Sequence, residues 1–367
     1  MSNHHQPLTL KYRPQTFAEL LIQDHVRNTL TQAIERDRLA NAYLFAGPRG
    51  VGKTTTARIL AKCLNCLSHE RPTVTPCNSC SACIEISESR SVDVMEIDGA
   101  SERRIDDVRE LRDGIRYSPG ALRYKIYIID EVHMLTREAF NAILKTLEEP
   151  PRHAKFIFAT TEVHRLPLTI ISRCQRFDFR KATNAEICTR LKWIAEKENI
   201  KISGEAIAAI ATRADGAVRD AESMLEQLAM YSPSCIELSD AEELFGLVPT
   251  RLSTEYAELV LAGDTTGIVK LVDRVIEEGH DPVEFFNALV NHFRQLLRML
   301  YTDDLPDVVE EDKKRMRKQA QHFGYESLLT TLGHLSSNEP SIRTTAFPQA
   351  FLELLSLELI EKTKCRK

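Results

Sequence analysis

The sequence predicts an α/β domain on a parallel sheet, followed by helical domains. Two observations predict the sheet. Between Leu39 and about Arg180, short apolar runs alternate with amphipathic helical segments. Those runs are apolar almost throughout instead of alternating, as in strands covered on both faces. A third observation predicts the helical part: beyond Arg180 the apolar residues follow a helical spacing. At 367 residues the chain exceeds one ordinary core, so two or three domains are expected.

Taken in order, "NAYLFAGP" reads as a strand entering a glycine turn, and "GKTTTARILAKCLN" as a helix opening at that turn. "VDVMEID" is a short strand and "SERRIDDVRELRDGIRY" a charge-laced amphipathic helix. "YKIYIIDE" is a buried strand, "REAFNAILKTLEE" a helix stopped by Pro150 and Pro151, and "AKFIFATT" a further buried strand. "TNAEICTRLKWIAEKENI", "SGEAIAAIATRA" and "AVRDAESMLEQLAMY" are helices, with Thr183 and Ser203 as cap-like starts. "LFGLVPT" reads as a linker, and helices continue to Lys367, with "DDLPDVVEEDKKRMRK" an exposed charged connection leading into one. The expected domains are 1–181, 182–246 and 247–367.

Composition narrows the function. Apolar residues make up 43% and charged residues 28%, a globular balance. The net charge of -5 argues against a broadly cationic nucleic-acid coat and leaves room for a local basic track. No apolar run approaches a membrane span, and "MSNHHQPLTLKYRP" has no cationic head before an apolar stretch. A cytoplasmic protein is expected. Thiols stay reduced there, so clustered cysteines read as metal ligands more than as disulfides.

Gly47, Pro48, Arg49, Gly50, Val51, Gly52, Lys53 and Thr54 fit G-x-x-x-x-G-K-[ST] in full, between a predicted strand and a predicted helix. Glycines let backbone N–H groups curl around phosphate oxygens, and the helix start adds positive potential. Lys53 is expected at the terminal phosphates and the Thr54 hydroxyl on Mg2+. A chance glycine turn would not carry both spacing and context. "IYIIDEVH" ends a buried strand in Asp130 and Glu131, at the edge where such sheets bind ligands. Asp130 is expected to hold Mg2+ and Glu131 to polarise an attacking water; a solvated acidic pair is the bland alternative. No N-K-x-D guanine-reading motif is present, so ATP is expected over GTP.

Cys77, Cys80 and Cys83 stand at two-residue gaps, and Cys66 lies ten intervening residues earlier. Four thiolates suit a closed, structural Zn2+ site, a module at about 63–85. Thiol exchange and an iron–sulfur cluster are the alternatives. Cys63 could compete as fourth ligand, but its apolar setting "ARILAKCL" reads as core. Arg173, in "LTIISRCQRF", either is a solvated surface residue or reaches a neighbouring chain's nucleotide. Arg219 either senses a γ-phosphate or pairs with Asp215 or Asp220.

These motifs together resemble the gamma/tau family of bacterial DNA polymerase III clamp-loader subunits, AAA+ ATPases. The resemblance rests on "KYRPQTFAEL", "GPRGVGKTT", the "CLNC…CNSCSAC" insert, "IDGASERRIDDVREL", "IYIIDEVHMLTREAFNAILKTLEEPP", "FIFATT", "LPLTIISRC" and "GAVRDAES", in the family's order from residue 10 to about 225. It implies an AAA+ P-loop domain with a zinc-binding insert, a small helical lid and a C-terminal all-α collar. It implies Thr161, with Thr160, as the sensor orienting water, Arg173 as the finger acting in trans, and Arg219 as a second sensor. Tyr12, Arg13 and Pro14 would lie by the adenine, with Thr55 also at the nucleotide, and Arg103 and Arg104 would track DNA phosphates. A solvated face shared with Asp106 and Asp107 is the alternative for that arginine pair. One departure is Ile22, where the family pattern leads one to expect glycine before Gln23.

The implied function is an ATP-hydrolysing motor that opens a sliding clamp and loads it on primed DNA without sequence preference. Its partners would be the delta and delta-prime subunits and further copies of itself, with polymerase and helicase only for a longer form. The rivals are another AAA+ DNA-remodelling ATPase and a non-catalytic clamp-loader scaffold.

Overall fold

The computed structural model describes residues 6–101, 115, 117–302 and 310–364. They form two compact units: Met1–Ile200 with Ile210–Gln227, and Lys201–Ala209 with Leu228–Lys367.

In the first unit, α1 (Leu8–Lys11) and α2 (Asp24–Glu35) precede β1 (Ala42–Ala46) and α3 (Lys53–Asn65). Then come α4 (Ser81–Ser87), β2 (Val94–Asp98), β3 (Lys125–Asp130), α5 (Arg137–Glu148), β4 (Ala154–Thr160), α6 (Leu168–Ile171), β5 (Gln175–Asp178) and α7 (Asn184–Glu198). The strands make one sheet in the order β2-β3-β4-β1-β5, with every pair parallel. Every residue of β1 and β4 is buried, because the sheet is covered on both faces. Successive side chains leave a strand on opposite sides. Thus Tyr43 and Phe45 join Leu30, Leu60 and Ile128 on one face, while Leu44 joins Phe140, Phe156 and Phe158 on the other. Each large apolar side chain so buried stabilises the unit by roughly 1.5–3 kcal/mol.

Register fixes the functional edge. Ala46 pairs with Thr160 and Asp98 with Asp130, so the carboxyl ends of β1, β2, β3 and β4 lie together. The helices have chemical starts. The Thr136 hydroxyl accepts from Ala139 N–H to open α5, and Thr183 and Glu186 make a reciprocal capping box for α7. The expected helix over "SERRIDDVRELRDGIRY", with Arg103, Arg104, Asp106 and Asp107, lies almost wholly outside the described residues.

Chain division between the units falls within α8 (Gly204–Arg213) and α9 (Val218–Tyr231). Next come α10 (Leu238–Phe245), α11 (Thr250–Ala262), α12 (Thr265–Glu277), α13 (Pro282–Met299), α14 (Glu310–Thr344) and α15 (Pro348–Lys364). The stretch read as a linker is a short turn: Gly246, at φ 60°, ends α10 and Pro249 precedes α11. Gly324, at φ 69° and ψ 168°, breaks α14 into two helical segments. Tyr256, Phe285, Phe286 and Phe293 centre the core of this unit. The Tyr256 hydroxyl meets Ser356 Oγ at 2.8 Å, so the buried phenol is satisfied. Among the described residues, no helix is long and apolar enough to cross a membrane.

Candidate functional site

The glycine loop connects β1 to α3. Gly47 has φ 150°, and a Cβ there would lie 2.4 Å from the Phe179 carbonyl oxygen. Gly50 has φ 77°, and a Cβ there would lie 2.9 Å from that of Ala217. No L side chain fits either place. Arg49 is exposed and Val51 buried. Lys53 is buried, and its Nζ donates to the carbonyls of Gly47 at 2.8 Å and Pro48 at 2.7 Å. Burial lowers its pKa, opposed by Glu131 and Asp130, which favour its charge. A phosphate in the loop can take this ammonium over from neutral carbonyls.

The carboxylates stand beside it. Thr54 Oγ1 donates to Asp130 Oδ2 at 2.5 Å, so two hard oxygen donors suited to Mg2+ are already adjacent. Glu131 holds a left-handed backbone, φ 43° and ψ 45°, a strained conformation for a residue with a side chain. Its carboxylate lies just past the end of β4, where Oε2 accepts from Thr161 Oγ1 at 2.9 Å and Thr161 N at 3.2 Å. Thr160 is turned to His133 instead, at 3.0 Å from Nδ1. His133 lies 3.3 Å from Glu131 and reaches Glu162 at 3.4 Å through Nε2. The sequence contains this histidine in "DEVH", yet nothing in the spacing assigns it a partner.

The N-terminal segment closes one side. Arg13 Nε donates to Thr55 Oγ1 at 3.1 Å. Burial and the guanidinium of Arg58, with a further contribution from Arg219, pull Arg13 down to about 10. Tyr12 packs edge-on against Trp193 with ring centroids 5.3 Å apart, and its hydroxyl donates to Glu198. Arg190, on α7, donates to the Tyr12 carbonyl at 2.6 Å and pairs with Glu222 at 2.9 Å. Arg219 N approaches the Gly50 carbonyl at 3.5 Å. Pro14 lies next to Arg13 and Gln15 around a small cleft. Trp193 and Arg190 carry no sequence motif, and Glu222 lies in "GAVRDAES" with no partner assigned by it; only the fold gathers the three.

Arg173 is part of no such cluster. Its guanidinium pairs with Glu148 at 2.8 Å and donates to the Thr169 carbonyl at 2.8 Å, with a third of the side chain exposed.

The sulfur atoms of Cys66, Cys77, Cys80 and Cys83 all lie within 4.8 Å of one another. Tetrahedral zinc with ~2.3 Å bonds needs sulfurs roughly 3.8 Å apart, so the donor set fits. Cys77 N–H points at Cys66 Sγ, 3.4 Å away, and Cys80 N–H at Cys77 Sγ, 3.3 Å away, as thiolate acceptors require. Arg123 ties the segment down through the carbonyls of Leu64, Cys66 and His69. Cys63 instead packs in the core with its sulfur 3.8 Å from the Val74 carbonyl.

A parallel sheet ordered β2-β3-β4-β1-β5, with a glycine loop after β1 and acidic residues after β3, defines a P-loop protein of the AAA+ type. Family models match in three segments. They are "DNA polymerase III, delta subunit" over 22–183, "DNA polymerase III clamp loader subunit, ATPase lid domain" over 186–232, and "DNA polymerase III subunits gamma and tau domain III" over 236–365. The DNA polymerase III subunit gamma of Buchnera aphidicola is 38% identical, over 87% of this chain and 88% of that protein. The chain therefore belongs to the gamma/tau family of DNA polymerase III subunits. The DNA polymerase III subunit tau of Bacillus subtilis is 37% identical, over 97% of this chain and 63% of that protein. The gamma/tau subunit of Mycoplasma genitalium is 42% identical, over 78% of this chain and 48% of that one. The chain thus spans less than two thirds of the one and about half of the other of those longer relatives.

Proposed function

We propose that this chain is an ATP-hydrolysing motor subunit of a clamp loader, which opens a sliding clamp and loads it onto primed DNA. The carrying observation is that Thr54 bonded to Asp130, and Thr161 bonded to Glu131, stand at one sheet edge, close enough to Lys53 for both carboxylates to favour its charge. Lys53 binds the terminal phosphates, and the glycine loop supplies N–H donors. Thr54 and Asp130 would hold Mg2+, which when bound neutralises charge on the β- and γ-phosphates. Glu131 takes a proton from the attacking water, and Thr161 orients that carboxylate through two hydrogen bonds. Tyr12, Arg13, Pro14 and Thr55 form the adenine side, and Arg219 reads the γ-phosphate. Arg173 serves a neighbouring subunit's nucleotide. Cys66, Cys77, Cys80 and Cys83 hold structural zinc, whose closed shell fixes the fold of the insert.

We assign the domains as 1–181, 182–246 and 247–367: nucleotide domain, lid and collar. The further partners are delta, delta-prime and more copies of this chain. The linkage logic is that ATP binds the clamp-competent state more tightly than the other.

ATP hydrolysis is measured in the assembled loader, with and without clamp and primed DNA. Strong stimulation is expected, falling by at least about a hundredfold in Lys53→Ala. A rate indifferent to clamp and primer sinks the loading role, and a loader unaffected by Lys53→Ala makes this chain a scaffold.

A further inference from the structure

A buried cation joins the cysteine centre to the nucleotide loop. Lys62, on α3, is 1% exposed. Its Nζ donates to Asn78 Oδ1 at 2.8 Å and Gln15 Oε1 at 2.7 Å. Asn78 lies between Cys77 and Cys80, held at φ 57°. Ser87, on the helix that carries Cys83, donates to the same Gln15 oxygen at 3.3 Å. Gln15 Nε2 donates to the Arg13 carbonyl at 3.0 Å, and Arg13 Nε to Thr55 Oγ1 at 3.1 Å. The polar chain Asn78–Lys62–Gln15–Arg13–Thr55 is thus continuous from between two cysteines to the residue after Thr54.

An ammonium withdrawn from water is costly, and two amide oxygens satisfy it incompletely. Four thiolates on a divalent ion carry two net negative charges; burial disfavours the charge on Lys62, while Cys83, then Cys63 and Glu19, and then Cys77 lie near enough to favour it. The metal centre and the lysine therefore compensate each other. A metal that closes the 77–80 turn would hold Asn78 in place and, through Lys62, Gln15.

We propose that Lys62 is a positioning residue through which metal occupancy of the cysteine centre sets the Arg13 wall of the nucleotide pocket. This rests on the ATP reading above. Coupling between two sites is reciprocal, so nucleotide must also retain the metal.

The test measures equilibrium binding of a fluorescent ATP analogue to the full chain, zinc-loaded or stripped, with zinc content read by elemental analysis. Stripping is expected to weaken binding about tenfold in the natural chain, the scale of one charge-assisted hydrogen bond. In Gln15→Ala, where the chain is already cut, stripping is expected to change binding less than about twofold. Stripped protein can misfold, so zinc release to a chromogenic chelator is timed on the folded, loaded chain as well. Saturating nucleotide should slow release in the natural protein and not in Gln15→Ala or Asn78→Gly, the latter keeping the positive φ without the acceptor. Equal weakening in natural and Gln15→Ala chains, or release blind to nucleotide, overturns the link while leaving ATP binding intact. A loaded natural chain that binds no nucleotide overturns the ATP reading and this inference with it.

Discussion

Ile22 sits where the family pattern leads one to expect glycine, and it keeps a glycine's backbone, at φ 78°. A β-branched residue there is strained by roughly 1–2 kcal/mol. The neighbouring glutamine holds the turn in place. Gln23 is 1% exposed; its Nε2 donates to the Arg180 carbonyl at 2.9 Å and its Oε1 accepts from Arg180 N at 3.3 Å. A buried amide with both ends paired is expensive to release, so the turn persists. The test compares two truncations that differ by one methyl group. Ile22→Gly is expected to be more stable than Ile22→Ala by up to about 1 kcal/mol, the reverse of the usual order, because left-handed strain outweighs glycine's entropy. Thermal unfolding should show this as a midpoint about 2–4 °C higher for the glycine variant. An alanine variant that melts higher would mean that the turn relaxes out of the left-handed region.

At the scale of elements, β3 presents Asp130 and Glu131 at one end and is anchored at the other by a residue no motif marks. Asp93 is 5% exposed and accepts N–H bonds from Gly120 at 2.8 Å, Ala121 at 2.9 Å and Leu122 at 3.0 Å. Burial raises its pKa, but the three N–H groups and Lys125 outweigh that, and the carboxyl ends below its usual range. The folded state therefore favours the carboxylate. Its contribution is fully present above the ordinary carboxylate pKa of about 3.9 and is lost as pH falls below it. Asp93→Asn should cost about 1–3 kcal/mol at pH 7, measured by urea unfolding. The difference should shrink as pH drops through 4 toward 3; a gap independent of pH would assign the loss to shape instead of charge. This anchor also shows what a sequence hides. The buried strands were legible because both faces are apolar, and the glycine loop because its glycines, Lys53 and Thr54 each have a stated job at a fixed spacing. Asp93 and Gly120 are 27 residues apart, and Lys62 and Gln15 are 47 apart. Backbone N–H partners leave no side-chain signature, and a lone lysine–glutamine pair so far apart forms no motif, so such ties become visible only when the chain has closed. The cysteine quartet was legible because its four thiols are local in sequence and chemically distinct. Contacts split the chain within α8 and α9, where the helical pattern gives no break to read.

At the scale of the whole molecule the open question is whether the site is complete within one chain. Lys53, Thr54, Asp130, Glu131 and Thr161 gather on the carboxyl edge of the sheet, whereas Arg173 pairs with Glu148 and the carbonyl of Thr169. That ion pair is partly exposed on both sides, and such pairs contribute about 0–1 kcal/mol, so it does not lock the guanidinium in place. A residue that acts in trans has a signature that no single variant gives. Lys53→Ala spoils the phosphate loop of its own chain and leaves a sound Arg173; Arg173→Ala does the reverse. If the arginine serves a neighbour, loaders assembled from an equal mixture of the two contain about a quarter of adjacent copies in which a sound loop meets a sound arginine by chance. Each variant alone should lose on the order of a thousandfold in clamp- and primer-stimulated hydrolysis, while the mixture recovers a measurable fraction of the natural rate. If Arg173 instead serves its own nucleotide, every chain in the mixture carries one lesion in its own site. The mixed loader then stays as inactive as its parents, and the reading of Arg173 as a residue acting across chains is lost.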